Sequence, residues 1–174
     1  MTFNHFECVV GEIRGFRWWR VTPRGWLRSP WHSNGRWEAG PNPALCMRPD
    51  GSHHSHLNGS PEVACTCGIY ALHALPADSP EKLRNPWGIA ATASGDHGLV
   101  FGVAAGHGHV LVGTTGWRAE RARVLALYLG LKGRSAWRLN VASRRYSVPI
   151  YTNLEALVVE WGPDGQTRSE RRAS

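Results

Sequence analysis

The sequence predicts an α+β domain: a small, curved, mainly antiparallel sheet packed on one or two helices, with an irregular loop stapled by zinc. Three observations predict it. Short β-branched and aromatic runs are separated by turn residues, the mark of strands. Two stretches, 117–129 and 154–161, carry apolar residues at helical spacing. Between residues 29 and 62 the chain is rich in Pro, Gly, Ser, Asn and His, and three cysteines cluster inside and just after it. An irregular stretch of that length inside a compact domain needs an anchor, and a metal supplies one. With 174 residues, 42% of them hydrophobic, the chain suits one core. The expected domain is 1–163, followed by a polar tail, 164–174, with three arginines and no expected order.

The elements follow in order. Cys8, beside Val9 and Val10, reads as a buried strand residue. Arg14 to Val21 reads as a strand with Phe16, Trp18 and Arg20 on one face and Arg17, Trp19 and Val21 on the other. Pro23-Arg24-Gly25 ends it in a turn. Gly68 to Leu75 has the look of a short helix, and a second helix begins at Ser79-Pro80-Glu81, with Ser79 as cap. Leu99 to Ala104 and His109 to Gly113 read as two strands joined by a Gly-His-Gly turn. Trp117 to Leu129 reads as the main helix, with Ala119, Ala122, Leu125 and Leu129 inward and Arg118, Glu120, Arg121 and Arg123 toward water. The helix 154–161 starts at a Thr152/Glu155 capping box and stops at Gly162-Pro163.

Composition narrows the function. The formal net charge is +7, and eighteen of the twenty Lys/Arg residues are arginine. A GC-rich genome favours arginine codons, which weakens this as a functional signal. The charge still raises the case for an acidic partner such as nucleic acid, against the plainer reading of a basic protein with no polyanion partner. No apolar run is long enough to span a membrane, so no membrane is expected. Residues 1–10 lack the basic and apolar regions of a signal peptide, so the expected location is cytoplasmic, where thiols stay reduced.

The metal-ligating pattern is Cys46-x9-His56-x8-Cys65-x-Cys67. Three thiolates and an imidazole form a common structural set for Zn2+, and four protein ligands leave no open position for catalysis. Cys-x-Cys is tighter than the usual Cys-x2-Cys. His53, His54 and His73 compete with His56 for the fourth position.

Two runs, Pro61-x3-Cys65-Thr-Cys67-Gly-Ile-Tyr-Ala71 and Gly116-Trp117-Arg118-Ala119-Glu120-x-Ala122, carry a resemblance. So do Trp19-Arg20-Val21-x4-Trp26-Leu27-x-Ser29-Pro30 and Tyr146-Ser-Val-Pro-Ile150. Together they resemble a set of small, uncharacterised, zinc-binding-like proteins of high-GC Gram-positive bacteria and their phages. The resemblance spans most of the chain and implies no activity. The family's histidine lies about three residues before the proline, where this chain has Asn58; His56 is the nearest alternative.

Other chemistry is thinly represented. The deaminase pair His-x-Glu and Pro-Cys-x-x-Cys is absent, as is Gly-x-Ser-x-Gly. Gly130-Leu-Lys-Gly-Arg-Ser lacks phosphate-loop spacing. His107 and His109 flank Gly108 and leave open an enzyme acting on a nucleotide or modified base. The stronger lead is Arg14 to Arg48, with seven arginines, five tryptophans and one acidic residue, Glu38. Arg14, Arg17, Trp19, Arg20, Arg24, Trp26 and Arg28 are candidates to bind nucleic acid or a protein partner. The competing reading makes the tryptophans core and lets the arginines snorkel across them. The sequence thus predicts a non-enzymatic, zinc-stabilised binding module. An enzyme, or a phage accessory protein that binds a host protein, remains the alternative.

Overall fold

The computed structural model describes residues 11–30, 35–46, 52–56, 59–75, 98–129 and 135–161. Three of the sequence expectations, at Cys8, at the helix from Ser79 and at the tail 164–174, fall outside these residues. The strands are β1 (Ile13–Val21), β2 (Leu27–Arg28), β3 (Asn42–Pro43), β4 (Ile69–Leu72), β5 (Gly98–Val112), β6 (Gly116–Tyr128) and β7 (Ile150–Tyr151). The helices are α1 (Ser135–Tyr146) and α2 (Leu154–Trp161). The fold is α+β, with one mostly antiparallel sheet; among the described residues only β6 and β7 run parallel.

The sheet's curvature is visible in its pairings. β1 pairs β5 along its whole length, from Ile13↔Gly106 to Val21↔Gly98. β5 pairs β6, β6 pairs β4, and β4 returns to β1 at Phe16↔Leu72. Four strands therefore close a ring. β2 extends β1, while β3 and β7 add to β6.

Strand alternation sorts β1 as expected. Trp19 and Val21 enter one core cluster with Trp37, Trp117, Leu139 and Tyr146. Phe16 and Trp18 enter a second with Phe101, Val103 and Leu157. Helix α1 thus contributes to the first cluster and α2 to the second. Trp117 spans the first: its indole Nε1 donates to the Arg14 carbonyl at 3.0 Å. A Cβ at Gly106 would lie 2.5 Å from the Trp117 ring, so only glycine admits it there.

Four sequence expectations are corrected. The stretch 117–129 is strand β6, not a helix, and Arg118 is buried rather than turned to water. Its residues are buried on both faces, and pairing shifts register between Val103 and Ala104 and between His107 and Val110. Such irregularities break the two-residue alternation, leaving spacings that imitate a helix. Gly68–Leu75 contains β4, where Ile69 and Ala71 alternate inward in strand fashion. Residues 98–112 form one strand, with the second irregularity where a turn was expected. Helix α2 has the expected bounds, but Asn153 caps it: its Oδ1 accepts from the Glu155 and Ala156 amides at 2.8 and 3.3 Å. The sequence reading assigns no element to 135–146, where α1 lies.

Candidate metal centre

Strand β6 places both arms of the centre. Downstream of β3, the Ala44 amide donates to the Glu120 carbonyl at 2.6 Å, which delivers Cys46 beside β6. The buried Asn42 closes the preceding loop, accepting from the Glu38 amide at 2.6 Å and donating to the Gly40 carbonyl at 2.8 Å. On the other side β4 pairs β6 from Ile69↔Ala119 to Leu72↔Gly116, which delivers Cys65 and Cys67. The Cys65 amide donates to the Glu62 carbonyl at 3.1 Å and makes a tight turn. Gly68 then reverses the chain at φ +117°, a region that only glycine occupies without strain. A Cβ there would meet the Pro61 Cβ at 2.9 Å and the Arg118 Cβ at 3.0 Å. The glycine of Cys-x-Cys-Gly is therefore part of the centre. His56 is carried by the segment 52–56, which the His54 amide ties to the Cys46 carbonyl at 2.9 Å.

The sulfurs of Cys46, Cys65 and Cys67 and a ring nitrogen of His56 all lie within 4.8 Å of one another. Cys46 Sγ is 3.5 Å from Cys65 Sγ, and Cys67 Sγ is 3.4 Å from His56 Nε2. A zinc tetrahedron with Zn–S of about 2.3 Å and Zn–N of about 2.0–2.1 Å has edges of about 3.8 and 3.6 Å. The donor spacing fits. All three cysteines are free thiols, and 3.5 Å is far beyond a disulfide bond. The four residues are positioned to bind one metal ion.

Of the competing histidines, His73 Nε2 lies 3.0 Å from the Gly113 carbonyl oxygen, outside the cluster. His53 is exposed and also outside it. His54 stacks edge-on against His56 and lies 3.9 Å from Cys46 Sγ, beside the cluster rather than in it.

The surroundings act on the thiols unequally. The Glu62 amide donates to Cys67 Sγ at 3.3 Å. Burial, and then the hydrogen bond with Cys65, push Cys46 up to about 11. Burial also raises Cys65, but hydrogen bonds with Cys67, Cys46 and His56 outweigh it and bring that thiol down to about 7. Arg118 matters most among the residues that the sequence reading misplaced. Only 3% exposed, its guanidinium donates to the carbonyls of Cys65 and Cys67, the second at 3.0 Å, and lies 5.7 Å from the centre of the Tyr70 ring. It braces the Cys-x-Cys backbone. Gly116 to Ala119 are buried without alternation, so no period in the sequence marks Arg118 as inward.

The candidate binding residues divide. Trp19 and Arg17 are buried, Trp19 against Trp37 and Arg17 over the same ring at 5.1 Å. Burial lowers Arg17 to about 9, which leaves it charged at neutral pH; it donates to the Tyr70 carbonyl. Trp19 belongs to the core, as the competing reading has it; Arg17 packs across Trp37 but is buried with it and does not snorkel to water. Arg14 lies over Trp161 at 5.2 Å. Arg20, Arg24, Trp26 and Arg28 are exposed or half-buried. His107 and His109 flank Gly108 on β5, where the His109 amide donates to Glu120 Oε2 at 3.1 Å. Among the described residues they join no metal-binding cluster.

Comparison with protein families, curated proteins and solved structures finds no match. Among the described residues no helix is long and apolar enough to cross a membrane.

Proposed function

We propose that the protein is a non-enzymatic binding module whose Cys46, His56, Cys65 and Cys67 hold one structural Zn2+ and whose basic face binds nucleic acid. The convergence of four soft or borderline donors at tetrahedral spacing carries the reading. Bound there, zinc would supply a cross-link between the two arms beside β6 and no open coordination position. The net charge of +7 and the exposed arginines around Trp26 supply the nucleic-acid half.

A second reading, a protein partner, is favoured by Leu45 and Val63, which are 56% and 50% exposed close to the metal ligands. Fluorescence titration of the zinc-loaded protein with single-stranded and duplex oligonucleotides at low salt separates the two. Binding that weakens as salt rises is expected. No binding to either would remove the nucleic-acid reading and leave the protein-partner one.

A further inference from the structure

Beside the β1–β2 turn lies an open hollow of about 290 Å³ lined by Thr22, Pro23, Arg24, Trp26, Arg28 and Arg36. The turn is built by the Gly25 amide donating to the Thr22 carbonyl at 2.9 Å, with Gly25 at φ +74°. A Cβ at Gly25 would strike Val141 and Ala142, so the turn seats directly on α1. That contact brings Arg145 of α1 against Trp26: its guanidinium carbon is 3.7 Å from the ring centre, and that of Arg36 is 4.3 Å. Arg36 lines the hollow, while Arg145 braces the ring without lining it.

The strand register extends the hollow's charge. Arg20 pairs Arg28 across β1 and β2, and Arg28 in turn bridges Arg36. Register partners share a sheet face, so three arginines stand in a row. Like charges directly opposite one another destabilise a sheet. Glu38 meets the end of this row through Arg36 at 2.6 Å, with both side chains about half exposed. The row offers repeated positive charge to an anion with repeated charges.

We infer that this hollow and arginine row bind single-stranded nucleic acid, with phosphates along Arg20, Arg28 and Arg36 and at Arg24 on the wall of the hollow, and a base over the Arg36–Trp26 stack. The inference rests on the nucleic-acid reading above and gives it a place. Arg36 gives its Nε and Nη2 edge to Glu38, so a phosphate there competes with a half-exposed carboxylate for the guanidinium. Guanidinium planes also take a base, as Arg does in single-strand recognition. A duplex keeps its bases stacked and paired and offers none to the hollow. An acidic peptide would satisfy the charges but not the Pro23 and Trp26 walls.

The test is fluorescence anisotropy of the full-length, zinc-loaded protein with a labelled twelve-nucleotide oligo-dT, its duplex with oligo-dA, and polyglutamate, over a salt series. The expected order is single strand tighter than duplex and polyglutamate. Trp26→Ala should weaken single-strand binding about tenfold. Arg24→Gln and Arg28→Gln should each lower the salt slope by about 0.7. Arg121→Gln, which removes an equal charge from β6 next to Glu120, should leave affinity within about twofold. Arg24 is exposed, so its variant serves if Trp26→Ala unfolds. Single-strand binding that survives the hollow variants as it survives Arg121→Gln would overturn this site and leave the nucleic-acid reading. Equal or tighter binding of duplex or polyglutamate would overturn the single-strand assignment. No binding to any oligonucleotide would overturn both.

Discussion

Replacing Arg118 with methionine tests how the metal loop is held. The guanidinium is buried and donates to the Cys65 carbonyl, to that of Cys67 at 3.0 Å, and at 3.5 Å to that of Glu62. A hydrogen bond from a charged group is worth about 1.5–3 kcal/mol, so the two shorter bonds account for about 3–6 kcal/mol. Methionine fills a similar volume and avoids the desolvation of a buried cation, which returns part of that sum. The net loss should be about 2–4 kcal/mol, or roughly 30- to 1000-fold in zinc affinity if it falls wholly on the metal-bound state. Competition with a chromophoric zinc chelator measures the affinity, and denaturant unfolding of the loaded protein measures the remainder. Arg118→Lys keeps the charge without the fork and should recover less than half. An Arg118→Met protein within about 0.5 kcal/mol of wild type by both measurements would refute the reasoning.

Further outcomes follow from other positions. Gly68→Ala puts a Cβ at φ +117° and 2.9 Å from Pro61, and should cost about 2–3 kcal/mol in denaturant unfolding. Tyr146→Phe strands the buried Leu27 amide and Trp37 carbonyl, which its hydroxyl meets at 3.0 and 2.7 Å; the loss should be about 1–3 kcal/mol by the same measurement. Zinc requires thiolates, and Cys46 at about 11 is protonated at neutral pH, so binding expels its proton and affinity rises with pH. Below about pH 7 Cys65 also holds a proton, so a plot of log affinity against pH should steepen there by about one unit of slope. Chelator competition between pH 6 and 9 checks this.

Much of the centre was legible because its chemistry is local in sequence. Three cysteines within 22 residues, interleaved with histidines in a stretch with little regular structure, announce a metal before any contact is known. The sequence pattern favoured His56 but did not exclude His54. Both lie beside the thiols, and the difference is where β3 and the 52–56 segment set each ring. The sheet's curvature was anticipated, but β6 was read as a helix. A strand buried on both faces has no polar side to reveal its period, and register shifts disturb what alternation remains. That one error concealed Arg118, whose role exists only once 118 faces inward. Helix α1 escaped for a different reason. Leu139, Ala142 and Tyr146 are its buried residues, a sparse stripe among arginines that gains meaning only against Trp19, Trp37 and Leu27. Within the Arg14–Trp37 block Arg17 and Trp19 are core, Arg24 is exposed, and Trp26 and Arg28 are half-buried.

Metal content is the most direct measurement of the central claim. Elemental mass spectrometry on the purified protein, and on Cys46→Ser and Cys65→Ser, should find about one zinc per wild-type chain. Each variant should lose the metal, and with it the cooperative unfolding of the wild type. A wild-type protein that takes up no zinc when reconstituted under reducing conditions, or variants that retain full occupancy, would contradict the account.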